Sequence, residues 1–121
     1  MELRNLLWVA AGGALGSMGR YLLTLLAVQM QVRAEWATVV ANVCGSFLIG
    51  FVLPQLRNEY YLFCTVGICG GFTTFSTFSS QAMRLLHDGQ YLPGLLYIVL
   101  TTAVSLAMVC LGWYCRQKLW G

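Results

Sequence analysis

A bundle of four membrane-crossing α-helices is the fold class this sequence predicts, and three observations predict it. Of its 121 residues, 59% are hydrophobic and 9% are charged, whereas a soluble domain carries about 25% charged residues. The apolar residues gather in four stretches, each near the roughly 20 residues a helix needs to cross about 30 Å of hydrocarbon. Short polar connections separate them, and most of the charges sit in these connections or near segment ends. Helices are the right element because hydrocarbon cannot satisfy an unpaired backbone N–H or C=O. The length fits one domain, residues 1–121.

The first stretch covers residues 6–28. Gly12-x-x-x-Gly16 and Gly13-x-x-x-Ser17 are small-residue pairs that let another helix come close. Arg20 follows one turn later on the Gly12–Gly16 face, the one charge well inside a span. A charge in hydrocarbon costs about 3 kcal/mol or more, which marks Arg20 as a functional candidate. Snorkelling to the interface is the alternative, but about eight apolar residues, roughly 12 Å of helix, lie between Arg20 and Gln29.

The second stretch covers residues 36–53. Thr38, Asn42 and Ser46 are spaced i, i+4, i+8 and share one face. The two hydroxyls can bond back to a carbonyl one turn earlier. The Asn42 amide has two donors and an acceptor to satisfy, so it either lines a polar path or ties two helices together. The fourth stretch, residues 91–114, repeats the spacing with Tyr97, Thr101 and Ser105. Two such stripes imply a shared wet seam.

The third stretch, residues 60–86, is the least ordinary. Gly70 and Gly71 precede a run of Thr73, Thr74, Ser76, Thr77, Ser79 and Ser80. Glycines and hydroxyl residues are poor helix formers, so the helix is expected to break there. Freed backbone groups are tolerated in a membrane only where protein, water or an ion meets them, and broken helices recur at ion sites. Phe72, Phe75 and Phe78 recur every third residue. They either pack against neighbouring helices or present the positive edges of their rings to an anion.

The connections, residues 29–35, 54–59 and 87–90, are short enough to make neighbouring helices antiparallel. Four spans put both termini on one side. That side holds Arg4, Arg57, Arg116 and Lys118, the other Arg33 and Arg84. Under the positive-inside rule this bias is weak and leaves both orientations open.

The candidate seam offers donors, hydroxyls and ring edges. All four acids, Glu2, Glu35, Glu59 and Asp88, lie in connections or at span ends. A cation or proton-coupled carrier normally needs an intramembrane carboxylate, so anion movement is favoured. The runner-up is a proton-coupled small exporter of four-helix type, whose pattern puts a Glu in the first span. Four helices barely enclose a channel, so lining from a second copy is expected, with glycine faces to pack it.

Other classes fare badly. The sole histidine, His87, is a loop residue beside Asp88, and Ser76 and Ser79 have no base nearby in sequence, so no enzyme is expected. Cys44, Cys64, Cys69, Cys110 and Cys115 sit in or at the ends of apolar runs without a CxxC pair and read as packing residues. No basic stacking surface for nucleic acid is present. The first apolar run is too long for a cleavable signal.

The string Gly70-Gly71-Phe72-Thr73-Thr74-Phe75-Ser76-Thr77-Phe78-Ser79 resembles the signature of the fluoride channels called Fluc, or CrcB in bacteria. Gly12-Gly13-Ala14-Leu15-Gly16-Ser17 with Arg20, and Asn42-Val43-Cys44-Gly45-Ser46, resemble the same family, in order and across nearly the whole chain. The resemblance implies a dual-topology antiparallel homodimer in the bacterial inner membrane, with two pores that export fluoride passively and give fluoride resistance. It implies a sodium ion at the dimer centre, held by backbone carbonyls of Gly70 and Thr73 from both subunits. The pore residues it implies are Asn42, Phe75 and Phe78, with a polar track of Thr74, Thr77, Tyr97 and Thr101. Ser105 extends the fourth-helix stripe, and Arg20 would favour anions at the vestibule. Where many members carry a glutamate after the Phe78-Ser79-Ser80 segment, this chain has Gln81.

Overall fold

The computed structural model describes residues 3–52 and 58–120. Leu53, at the expected end of the second span, and Arg57, part of the charge comparison, lie outside the described residues.

The described residues are helical apart from short turns. The helices are α1 (Leu3–Gln29), α2 (Ala34–Val52), α3 (Asn58–Tyr61), α4 (Gly70–Phe72), α5 (Ser76–His87) and α6 (Tyr91–Trp120), with a π-helical stretch, Leu62–Cys69, joining α3 to α4. Four helical segments are long and apolar enough to cross a membrane: Leu3–Gln29, Ala34–Val52, Glu59–His87 and Tyr91–Leu119. The protein is a multi-pass membrane protein. Its first and last helices run past the apolar stretches of the sequence, because polar residues at a membrane surface can continue a helix that hydrocarbon has already nucleated.

The turns follow their residues. Gly89 takes a left-handed φ of 80° and ends α5 in a Schellman turn, with Gly89 N–H donating to Leu86 O at 3.1 Å and Gln90 N–H to Leu85 O at 2.9 Å. Gln31 does the same after α1 with φ 60°, and Val32 N–H returns to Ala27 O at 2.9 Å. Pro93 sits in the first turn of α6, where its missing N–H has no helical acceptor to lose.

The interior is made of small residues. Ala27, Ala37, Ala41, Cys69 and Ala82 are buried, while most of the large aliphatic side chains face outward, as lipid contact permits. Backbone meets backbone where glycine allows it. A Cβ on Gly67 would stand 2.8 Å from Gly12 Cα, and one on Gly71 2.6 Å from Gly13 O. Gly16 lies against Ile68 O and Phe72 N in the same contact. The small-residue pairs of the first span therefore seat α1 on the first half of the third span. Trp8 closes the end of this interface edge-on to Phe63, with ring centroids 5.9 Å apart. On the other flank, Gly50 faces Val109 O and Gly112 faces Phe47 O, which locks α2 to α6.

Candidate ion pathway

The helical path of the third span stops at Thr73, whose φ of −78° and ψ of 156° are extended, and resumes at Ser76. Glycines and β-branched threonines weaken the helix here, but a side chain from another helix holds it open. The Asn42 amide grips the backbone of Thr74 from both sides. Thr74 N–H donates to Asn42 Oδ1 at 2.8 Å, and Asn42 Nδ2 donates to Thr74 O at 3.2 Å. A primary amide matches a peptide group edge to edge, so one residue satisfies two groups that the break would strand. Of the two openings the sequence left for Asn42, the tie between helices is thus realised, and the residue also lines a cavity.

The second half of the break is capped locally. Thr74 Oγ1 accepts from Thr77 N–H at 3.3 Å, three residues on, as an N-cap side chain does. These two diversions have a common result. In an unbroken helix Thr74 N–H would serve Gly70 O and Thr77 N–H would serve Thr73 O. Both donors turn elsewhere, so the Gly70 and Thr73 carbonyls lose their helical partners. The Thr73 hydroxyl turns inward to Cys69 O at 3.0 Å. Half-buried Arg20 reaches the same segment, with Nε 3.4 Å from Gly71 O.

A cavity of about 260 Å³ lies between α2, the break and α6. Asn42 and Ser46 face it from α2, Thr74 and Phe78 from the third span, and Thr101 and Ser105 from α6. The two polar stripes and the hydroxyl run of the break therefore meet in one seam. Thr101 is buried, and Ser105 Oγ is buried with no hydrogen-bond partner among the described residues. Phe75 also lines the cavity, but the two phenylalanines differ: Phe78 is 6% exposed and Phe75 78%. Their ring centroids are 5.7 Å apart, and Phe78 continues to Tyr97 at 5.1 Å.

Two predicted residues sit apart from this cavity. Thr77 is half-buried at the start of α5, its N–H bound by Thr74. Tyr97 lines a second cavity of about 380 Å³ between α2 and α6, which shares Thr101 with the first. Its hydroxyl donates to Gln81 Oε1 at 2.7 Å. Gln81, which the sequence marked only as a departure from the family's glutamate, and Thr102, which faces the first cavity, were not among the expected site residues. Gln81 carried a usable signal, since it follows Phe78 by three positions and Thr77 by four and so shares their helix face. Thr102 carried none, being one of two adjacent threonines on α6.

A donor-lined cavity beside a helix break, in a chain of four spans, belongs to a membrane protein of the ion-conducting class. Residues 7–113 match the family described as CrcB-like protein, Camphor Resistance (CrcB), and the chain belongs to that family. It is 43% identical over 117 residues to the fluoride-specific ion channel FluC of Rhizobium meliloti (strain 1021), covering 91% of this chain and 94% of that protein. The FluC of Phocaeicola vulgatus is 37% identical over 116 residues, with 91% and 96% covered. That of Shewanella baltica (strain OS155) is 36% identical over 116 residues, with 91% and 94% covered.

Proposed function

We propose that the chain is a fluoride-selective channel of the bacterial inner membrane that exports fluoride passively and so lowers its cytoplasmic concentration. The observation that carries the reading is the Ser105 hydroxyl, without a partner among the described residues, in a seam whose other polar groups are an amide and the hydroxyls of serine and threonine. A buried hydroxyl without a partner is unfavourable in a finished protein interior, and suits a site that a passing ion completes. Fluoride is small and holds water tightly, so its path must offer close donors in place of water. Ser105, Thr101 and the Asn42 amide hydrogen not used on Thr74 supply them, and the Phe75 and Phe78 ring edges add positive potential without a full charge. No proton needs to be coupled in this reading, since no carboxylate among the described residues lines the cavity beside the break.

The working unit in this reading is an antiparallel homodimer. Phe75 lines the cavity yet is 78% exposed, so a second copy is expected to cover it and complete the wall. The Gly70 and Thr73 carbonyls, released from helical bonding, suit a sodium ion at the dimer centre, because hard cations take oxygen ligands. The ion would tie the subunits together. Arg20 adds positive potential at the level of the break.

Purified protein in liposomes tests the reading, with fluoride and chloride electrodes at neutral pH and no proton gradient. Rapid fluoride loss with little chloride loss is expected, and dimers prepared without sodium should dissociate more readily. Fluoride loss only when a proton gradient is imposed would replace this reading by the coupled exporter.

A further inference from the structure

The two cavities along α6 meet at Thr101, and the second one ends at a pair of opposite charges. From the break, the seam passes Ser105 and Thr101 and then Tyr97, in steps of one helical turn. Beyond Tyr97 the second cavity is walled by Trp36, Val39 and Pro93 and reaches Arg33, in the connection between α1 and α2, and Glu35, in the first turn of α2. Arg33 Nε donates to Glu35 Oε2 at 3.1 Å, with side-chain exposures of 58% and 24%. The turn that places the pair is fixed by left-handed Gln31 and by Trp36 N–H bonding to Arg33 O at 3.1 Å.

We propose that Arg33 and Glu35 form the mouth of the anion route on this side of the membrane, Arg33 drawing small anions in and Glu35 holding its charge in check. The inference rests on the channel reading above. The walls below the mouth are largely apolar, the Tyr97 hydrogen is committed to Gln81, and the Thr101 hydroxyl is the donor an anion would meet further in, so Arg33 is the full positive charge facing it at the water's edge. An exposed arginine bound to one carboxylate exchanges that partner readily, because water competes for both charges. A hydrated anion can therefore take the place of Glu35 for a moment before entering. Glu35 repels the same anion and sets how strongly the mouth collects it. In an antiparallel dimer each membrane face would carry one such mouth.

The test is fluoride current through wild-type, Arg33→Gln, Arg33→Lys and Glu35→Gln channels in planar bilayers, at low fluoride, in low and in high supporting salt. At low salt Arg33→Gln should lower the current about threefold and Glu35→Gln should raise it about threefold, a modest case of charge steering. Arg33→Lys should keep wild-type current, since it keeps the charge. The differences should vanish near 1 M supporting salt, where the screening length is about 3 Å. Equal low-salt currents in the four channels would overturn the mouth while leaving the channel reading intact. A loss in Arg33→Gln that persists at high salt, or that Arg33→Lys shares, would mean a structural role and would also overturn it. Wild-type protein that carries no fluoride would remove the channel reading itself, and the mouth with it.

Discussion

The third span has two flanks, and they are built on opposite principles. Towards α1 it presents Gly67 and Gly71 to the backbone of Gly12 and Gly13, and the backbone of Ile68 and Phe72 to Gly16, with no room for a side chain at Gly12, Gly16, Gly67 or Gly71. Towards α2 and α6 it presents Thr74, Phe75 and Phe78 to a cavity of about 260 Å³. One flank is sealed by the removal of side chains. The other is kept open by polar side chains that cannot satisfy one another completely. The contrast shows how a short chain can break a helix inside a membrane: the glycine flank holds the broken segment in place, so that the polar flank is free to face an ion.

The difference can be broken most severely on the glycine side. Gly16→Leu would drive a side chain into Ile68 O and Phe72 N, both backbone atoms that cannot step aside. Overpacking of this kind costs about 3 kcal/mol. Loss of the folded protein in detergent, seen as aggregation on size-exclusion chromatography, is the expected outcome. A stable, conducting Gly16→Leu channel would show that α1 is not seated as described.

Asn42→Ala is the corresponding change on the open flank. It strands Thr74 N–H and Thr74 O, which Asn42 serves at 2.8 and 3.2 Å. Each buried group left unpaired costs about 1 to 3 kcal/mol, unless water enters the cavity to replace the amide. The protein should melt at lower temperature and lose fluoride flux more than tenfold. Asn42→Ala protein that melts like the wild type would show that the clamp contributes nothing.

Tyr97→Phe should have the smallest effect of the three. It removes one hydrogen bond, the 2.7 Å contact to Gln81, with about 1 kcal/mol lost, and leaves the ring against Phe78. A modest drop in melting temperature and a flux reduced a fewfold are expected. Abolished flux would give Tyr97 a larger part than the cavity geometry assigns to it.

How far these features were legible in the sequence depends on how local their causes are. The spans could be read because apolar length is a property of one segment at a time. The seating of α1 could be read as a capacity, since Gly12, Gly13 and Gly16 announce close approach, though not the partner. That Asn42 is satisfied by Thr74 could not be read, because the two lie 32 residues apart and nothing near either one names the other. The unequal exposure of Phe75 and Phe78 also escaped a periodic reading. They flank the start of α5, where the backbone has just turned from the extended Thr73, so helical spacing does not govern which way Phe75 points. The π-helical stretch, Leu62–Cys69, left no mark that a helical periodicity could show.

The claim at the centre is that fluoride passes along the seam between α2, the break and α6. Its most direct test is fluoride efflux from liposomes holding the Thr101→Val, Ser105→Ala double variant, with melting and dimer content measured on the same sample. Ser105 Oγ has no partner among the described residues, so its removal should cost little stability, and valine closely matches threonine in shape. Efflux reduced about tenfold or more, as befits lost hydrogen bonds to a charged species, in a dimer that melts like the wild type is the predicted result. Unchanged fluoride efflux from that intact dimer would contradict the claim and send the ion along another path.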